Sequence, residues 1–138
     1  MVAYDIDWLI EDKVIMHRYP PTVNLEQLTE QFNGVNDMIT EANSDSVLVH
    51  VLMNAEDLKQ YPRQIAKLGN TAKLLLANPR LGWIIFYGRD DRIMQFLSSS
   101  VAAIFKARFR FFYSQEEAFA FLNSVDQELP DLSKYLTT

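Results

Sequence analysis

The fold is decided by two stretches in the second half of the chain: PRLGWIIFYG, residues 79–88, and FRFFYSQEEAFAFL, residues 109–122. The first is an apolar run of strand length bounded by glycines, which is typical of a parallel strand buried on both faces. The second begins with the alternation of a short strand and continues into a helix, because Ser114 and Glu117 have the spacing of a capping box. An apolar stripe at helical spacing over 93–105 predicts a further helix between them.

The first half of the chain adds a hairpin and further alternation of helices and strands. Its opening residues alternate between apolar and polar, which predicts a half-buried strand, and a polar turn at 11–13 leads back into a second strand. Asn24 and Gln27 form another capping box. The predicted elements here are strands over 4–10, 14–19 and 47–53 and helices over 25–42 and 61–76.

The predicted order is β-β-α-β-α-β-α-β-α. This order predicts an α/β fold with a mostly parallel sheet of about five strands that opens with an antiparallel hairpin. The β-branched, apolar segment over 47–53 is the expected central strand, and the strand at 108–111 is expected near an edge. The length of 138 residues suits one domain over residues 1–138.

Composition narrows the chemistry that the chain can perform. It has no cysteine, which excludes disulfides and thiolate catalysis, and its histidines are His17 and His50. His50 lies inside the predicted central strand, where we expect a neutral, hydrogen-bonded side chain. We find no nucleophile elbow or phosphate-binding glycine loop, so we expect no enzyme activity, catalytic residue, metal or cofactor. We also find no segment with the pattern of a secretory leader and no apolar run long enough to span a bilayer. We therefore expect a cytoplasmic protein without membrane insertion.

The net charge of −5 hides a segregation of charge along the chain. Residues 1–62 carry eleven acids and three bases, residues 63–110 carry two acids and nine bases, and residues 111–138 carry five acids and one base. The basic block either forms an anion-attracting face or pairs with the acidic segments after folding, and we favour the pairing. Because the chain as a whole is acidic, we expect no binding to nucleic acid.

Three stretches resemble the STAS-like (SpoIIAA-like) family of sporulation anti-sigma-factor antagonists. They are Tyr4–Trp8, Pro79–Gly88 and Arg110–Leu122, and the likeness is greatest to a divergent branch grouped with lipid-binding lobes of the Sec14 type. The resemblance implies a small, non-enzymatic, regulatory module. It also implies an unidentified protein partner that docks on the loop after the central strand and on the following helix.

The residues of that docking surface are taken to be Asn54, Glu56, Asp57 and Arg63. A serine or threonine in this loop is the family's phosphorylation switch, but Asn54–Leu58 contains no hydroxyl residue. Phosphorylation there is therefore not expected. The two carboxylates either imitate a permanent negative charge or complement the positive end of the next helix, and we favour the second interpretation.

A small-molecule or lipid-binding protein is the alternative function. Eight of the seventeen aromatic residues lie between Phe96 and Phe121, where they either line an apolar cavity or fill the core. The residues proposed for such a cavity are Phe96, Phe105 and Phe119, with Arg108 and Arg110 at its mouth. We also expect a homodimer, because the exposed edge of the hairpin and the apolar tail offer surfaces for a two-fold contact.

Overall fold

The computed structural model describes residues 5–43, 48–62, 65–89, 92, 95 and 108–136. Its strands and helices are β1 (Asp5–Ile10), β2 (Val14–Arg18), α1 (Leu25–Glu41), β3 (Val49–Asn54), α2 (Ile65–Thr71), α3 (Lys73–Leu76), β4 (Leu81–Tyr87), β5 (Phe109–Phe112), α4 (Gln115–Val125) and a 3-10 turn (Leu132–Tyr135). The predicted helix over 93–105 lies outside the described residues except for Gln95.

The strands form one mixed sheet in the order β1-β2-β3-β4-β5. β1 pairs with β2 antiparallel, and each later neighbour is parallel. The hairpin needs no glycine because Asp12 takes the left-handed conformation, with φ of 65°, and aspartate tolerates it better than most residues. This sheet confirms the predicted fold class, including the central position of β3 and the edge position of β5.

Each face of the sheet has its own hydrophobic core. On one face α1 and α3 pack on side chains such as Ile15, Val51 and Ile84. On the opposite face α4 and the 3-10 turn cover side chains such as Leu52 and Ile85. β3 and β4 are therefore covered on both sides, as their nearly continuous apolar sequences predict.

The helix predicted over 61–76 is shorter and divided. α2 begins at Ile65, and Ala72 separates it from α3 with φ of −90° and ψ of 0°. Ala72 and Leu75 are both buried in the core that α1 also contacts. Because the apolar stripe continues through both helices, periodicity alone does not reveal the interruption.

Candidate functional site

The carboxyl ends of β2, β3, β4 and β5 lie at one edge of the sheet, because these four strands are parallel. The last row of the ladder pairs Arg18 with Asn54, Asn54 with Tyr87, and Tyr87 with Phe112. Ligands of open α/β sheets characteristically bind beyond this edge, where the loops diverge. A functional site is therefore expected at the carboxyl edge.

The loop after β3 is shaped by Asn54. Its side-chain Oδ1 accepts a hydrogen bond from the backbone N–H of Glu56 at 2.9 Å, a local turn typical of asparagine. The chain after β4 approaches closely, since a Cβ on Gly88 would lie 3.1 Å from the Ala55 carbonyl oxygen. These contacts hold the loop against its neighbour and direct Glu56 and Asp57 outward.

Beyond the two loops lies a cleft of about 540 Å³. It is lined by Glu56, Asp57, Arg89, Ser114, Gln115, Glu116 and Leu136. Arg89 Nε lies 3.7 Å from Glu56 Oε2, and the Arg89 side chain is 82% exposed, so this ion pair is weak and easily displaced. Three carboxylates against one guanidinium give the cleft an acidic character.

The base of this edge is polar but uncharged. Gln115 Nε2 donates a hydrogen bond to the Tyr87 hydroxyl at 3.0 Å, and that hydroxyl lies 3.6 Å from Met16 Sδ. Burial raises the pKa of Tyr87, so it remains a neutral phenol at physiological pH. The carboxyl edge thus combines a neutral, hydrogen-bonded pair of Tyr87 and Gln115 with charged side chains at the surface.

Two of the predicted docking residues, Glu56 and Asp57, line the cleft, and Asn54 shapes the loop behind it. Arg63 lies outside the described residues. Sequence reasoning missed Arg89 and the start of α4, both of which line the same cleft. The predicted parallel topology contained the signal, because residues that follow β4 and β5 must emerge beside those that follow β3.

His50 lies at the opposite edge of the sheet, which we call the amino edge because the parallel strands begin there. Its Nδ1 accepts the backbone N–H of Trp83 at 3.0 Å, so the ring proton is on Nε2, which donates to Asp126 Oδ2 at 2.8 Å. Burial lowers the pKa of His50, opposed by the hydrogen bond and charge of Asp126. This is the neutral, hydrogen-bonded histidine that the sequence predicts. With both ring nitrogens engaged, it has no lone pair available for a substrate proton.

Three of the residues predicted for an aromatic cavity, Arg108, Arg110 and Phe119, lie in the described part of the chain. Phe119 is buried in the core, where its ring meets that of Tyr87 edge to face at 6.3 Å between centroids. The Arg110 guanidinium lies over the Trp83 ring, 5.1 Å from its centroid. Arg108 lines a separate cleft beside His50. Phe96 and Phe105 lie outside the described residues.

Two features are absent from the described residues. No helix among them is long and apolar enough to cross a membrane. Nor do these parts of the chain bring together three or more histidine, aspartate or glutamate side chains that could hold a metal ion.

Comparison with known proteins identifies the fold. No protein-family model matches the chain, and no curated protein matches it in sequence. The anti-sigma factor antagonist SpoIIAA in its unphosphorylated form is similar in structure, with a TM-score of 0.60 and 11% identity over 93% of this chain and 99% of that one. The phosphorylated form of SpoIIAA, described as a Bacillus cell fate determinant, aligns with a TM-score of 0.53 and 13% identity over 87% of this chain and 99% of that one. The chain therefore has a divergent form of the STAS-like fold of SpoIIAA.

Proposed function

We propose that this protein is a non-enzymatic regulatory module whose partner protein docks in the cleft at the carboxyl edge of the sheet. One observation carries the proposal: the loop after β3, the residue Arg89 after β4 and the start of α4 converge on a single cleft of about 540 Å³. The similarity of the whole chain to an anti-sigma factor antagonist supports a regulatory role by analogy of fold.

The chemistry of the cleft favours a basic partner surface. Glu56, Asp57 and Glu116 supply three carboxylates, and the neighbouring Arg89 is held only at 3.7 Å from Glu56. A cationic group of the partner can displace Arg89 and pair with these carboxylates, which favours fast and salt-sensitive association.

We propose further that docking does not depend on phosphorylation of the loop after β3. One of the similar structures is of SpoIIAA in a phosphorylated form. In this chain residues 54–58 read Asn-Ala-Glu-Asp-Leu, so the loop offers carboxylates in place of a hydroxyl group. Its negative charge therefore requires no covalent modification.

Charge reversal tests the proposed surface. The tagged wild-type chain and the double variant Glu56→Lys, Asp57→Lys are used to capture proteins from the native cell lysate, and the captured proteins are quantified by mass spectrometry. The matched control is Asp37→Lys, Glu41→Lys, which makes the same change of charge on exposed residues of α1. We expect one partner that the wild type and the control retain and the cleft variant loses. A partner lost equally from both variants, or retained by both, would contradict docking in the cleft.

A further inference from the structure

The amino edge of the sheet contains an irregularity centred on His50. β3 and β4 are paired at Val49 with Leu81 and again at Val51 with Ile84, so two residues of β4, Gly82 and Trp83, face the single residue His50. Such a bulge interrupts the ladder and redirects a side chain, and bulges are frequent beside functional sites. Here the backbone N–H of Trp83 leaves the ladder and donates to His50 Nδ1 instead.

Close packing maintains the bulge. A Cβ on Gly82 would overlap His50 Nδ1, so the ring occupies the space that a side chain at position 82 would fill. On the other side of the ring, the Asp126 carboxylate accepts from His50 through Oδ2 and from the Glu128 backbone N–H through Oδ1. His50 therefore joins the bulge in β4 to the segment that follows α4.

Arg108, next to this bulge, has an unfavourable backbone. Its φ of 51° lies in the left-handed region, which is costly for a residue with a long side chain. Its carbonyl oxygen accepts the N–H of Ile84 at 2.9 Å, where β4 resumes its ladder. Backbone strain of this kind is concentrated at binding sites, where the surrounding structure maintains it.

The bulge, the histidine and the strained arginine surround a cleft of about 240 Å³. It is lined by Leu48, His50, Trp83, Arg108, Val125, Asp126 and Glu128. The Arg108 guanidinium donates to the Leu81 carbonyl oxygen at 3.4 Å and, within the described part of the chain, forms no ion pair. The carboxylate of Glu128 is likewise without an ion pair there, and the Asp126 carboxylate accepts from a neutral imidazole, so the cleft offers one guanidinium and two carboxylates.

We propose that this amino-edge cleft binds a small zwitterion of free amino-acid size. Its carboxylate would pair with Arg108, its ammonium group with Glu128, and its apolar part would contact Trp83, Leu48 and Val125. The cleft is smaller than sites that hold drug-sized ligands, and its mixed lining suits a ligand with two opposite charges and a short apolar group. His50 and Asp126 position Trp83 and the Glu128 segment. The site is independent of partner docking at the other edge of the sheet.

Titrations with defined probes test the ligand class. Glycine, L-valine, L-leucine and L-phenylalanine are added separately to the ¹⁵N-labelled protein, and the amide resonances of Trp83 and Asp126 are followed. We expect at least one of them to shift these resonances saturably at millimolar concentration. The two blocked forms of that amino acid, its N-acetyl derivative and its amide, each lack one charge and should bind at least about tenfold more weakly. No saturable shift with any of the four, or equal binding of the blocked forms, would overturn the proposal.

Two substitutions locate the site. Arg108→Asn removes the guanidinium but keeps a residue that tolerates the left-handed backbone, and Glu128→Gln changes an exposed side chain. Each should weaken binding by about tenfold or more, because each leaves one ligand charge unpaired. Arg89→Gln and Glu116→Gln make the same kinds of change at the carboxyl edge and should leave binding unchanged. Equal losses in both pairs would show that the attraction is non-specific, and unchanged binding in Glu128→Gln would exclude the site even if Arg108→Asn failed to fold.

Discussion

At the scale of single residues, the two histidines show how burial controls charge. Both are buried, His17 on β2 beneath α1 and His50 on β3 beneath α4. His17 has its ring 4.3 Å from that of Tyr19, and burial lowers its pKa from 6.5 to about 4. The core on the α1 face is thus built for a neutral imidazole.

This burial predicts acid sensitivity. The folded pKa of His17 lies below its unfolded value of 6.5, so the unfolded chain binds the proton first as the pH falls. The contribution of His17 to the free energy of unfolding is complete above pH 6.5 and declines by about 3 kcal/mol as the pH falls to about 4. Urea unfolding of the wild type and of His17→Leu at neutral and acidic pH measures this. The variant should lose less stability on acidification, and parallel losses would contradict the assignment.

The close approach of Gly82 to His50 predicts a second residue effect. In Gly82→Ala the new methyl group would overlap the His50 ring, so we expect a loss of about 1–3 kcal/mol in the free energy of unfolding. Gly69→Ala is the matched control, since a Cβ at Gly69 in α2 meets nothing within 4 Å and alanine favours a helix by about 0.5–1 kcal/mol. Urea denaturation of both variants separates the two effects. Equal stability of Gly82→Ala and the wild type would disprove the packing argument.

Some residues of the two sites could be predicted from the sequence, and others could not. The position of His50 in an apolar strand predicted its neutral state, and the loop after β3 predicted Glu56 and Asp57 as residues of one surface. The partner Asp126 was not predictable, because it lies 76 residues further along the chain and meets His50 only after α4 has packed on the sheet. The approach of Arg89 to Glu56 similarly depends on how two loops leave neighbouring strands.

At the scale of elements, local signals gave the starts of α1 and α4 accurately. The predicted capping box of α1 is present in full: Asn24 Oδ1 accepts the Gln27 N–H, and Gln27 Oε1 accepts the Asn24 N–H. Ser114 likewise caps α4 by accepting the Glu117 N–H at 3.1 Å. These two starts are predictable because the capping hydrogen bonds are formed within four residues of sequence. The division between α2 and α3 at Ala72 has no comparable local signal, because the apolar stripe continues across it.

The capping box of α1 is expected to contribute measurably to the free energy of unfolding. Asn24→Ala removes the acceptor for the Gln27 N–H and should lower the free energy of unfolding by about 1 kcal/mol. Asn33→Ala is the control, because Asn33 is exposed inside the same helix, where alanine is neutral or slightly favourable. Thermal or urea denaturation of the two variants provides the comparison. Similar effects of both substitutions would mean that the box adds nothing beyond helix propensity.

At the scale of the whole molecule, some side chains of the basic block pair with side chains of the acidic segments. Arg89 from the basic block pairs with Glu56 from the acidic first segment, as the favoured interpretation predicts. Arg110 does not follow this pattern in the described residues, since its guanidinium lies over the rings of Trp83 and Phe121. Charge pairing between segments therefore explains some of the basic residues, and aromatic stacking explains another.

The expected homodimer is also a prediction for the whole molecule. β1 lies at the end of the sheet, so one side of its backbone has no neighbouring strand among the residues that the structure describes. We expect two copies to associate through the hairpin edge. Sedimentation velocity over a range of micromolar concentrations measures the mass directly. A monomer throughout that range would contradict the prediction.

Site-specific photocrosslinking in the native cell tests whether a partner protein docks at the carboxyl edge of the sheet. The photoreactive residue p-benzoylphenylalanine is placed at position 116 in the cleft, and in separate chains at position 37 on α1 and at position 128 at the amino edge. We predict one crosslinked protein that forms from position 116 and is absent from the other two. Crosslinks of equal yield at all three positions, or a specific partner only at position 37 or 128, would contradict docking at the carboxyl edge.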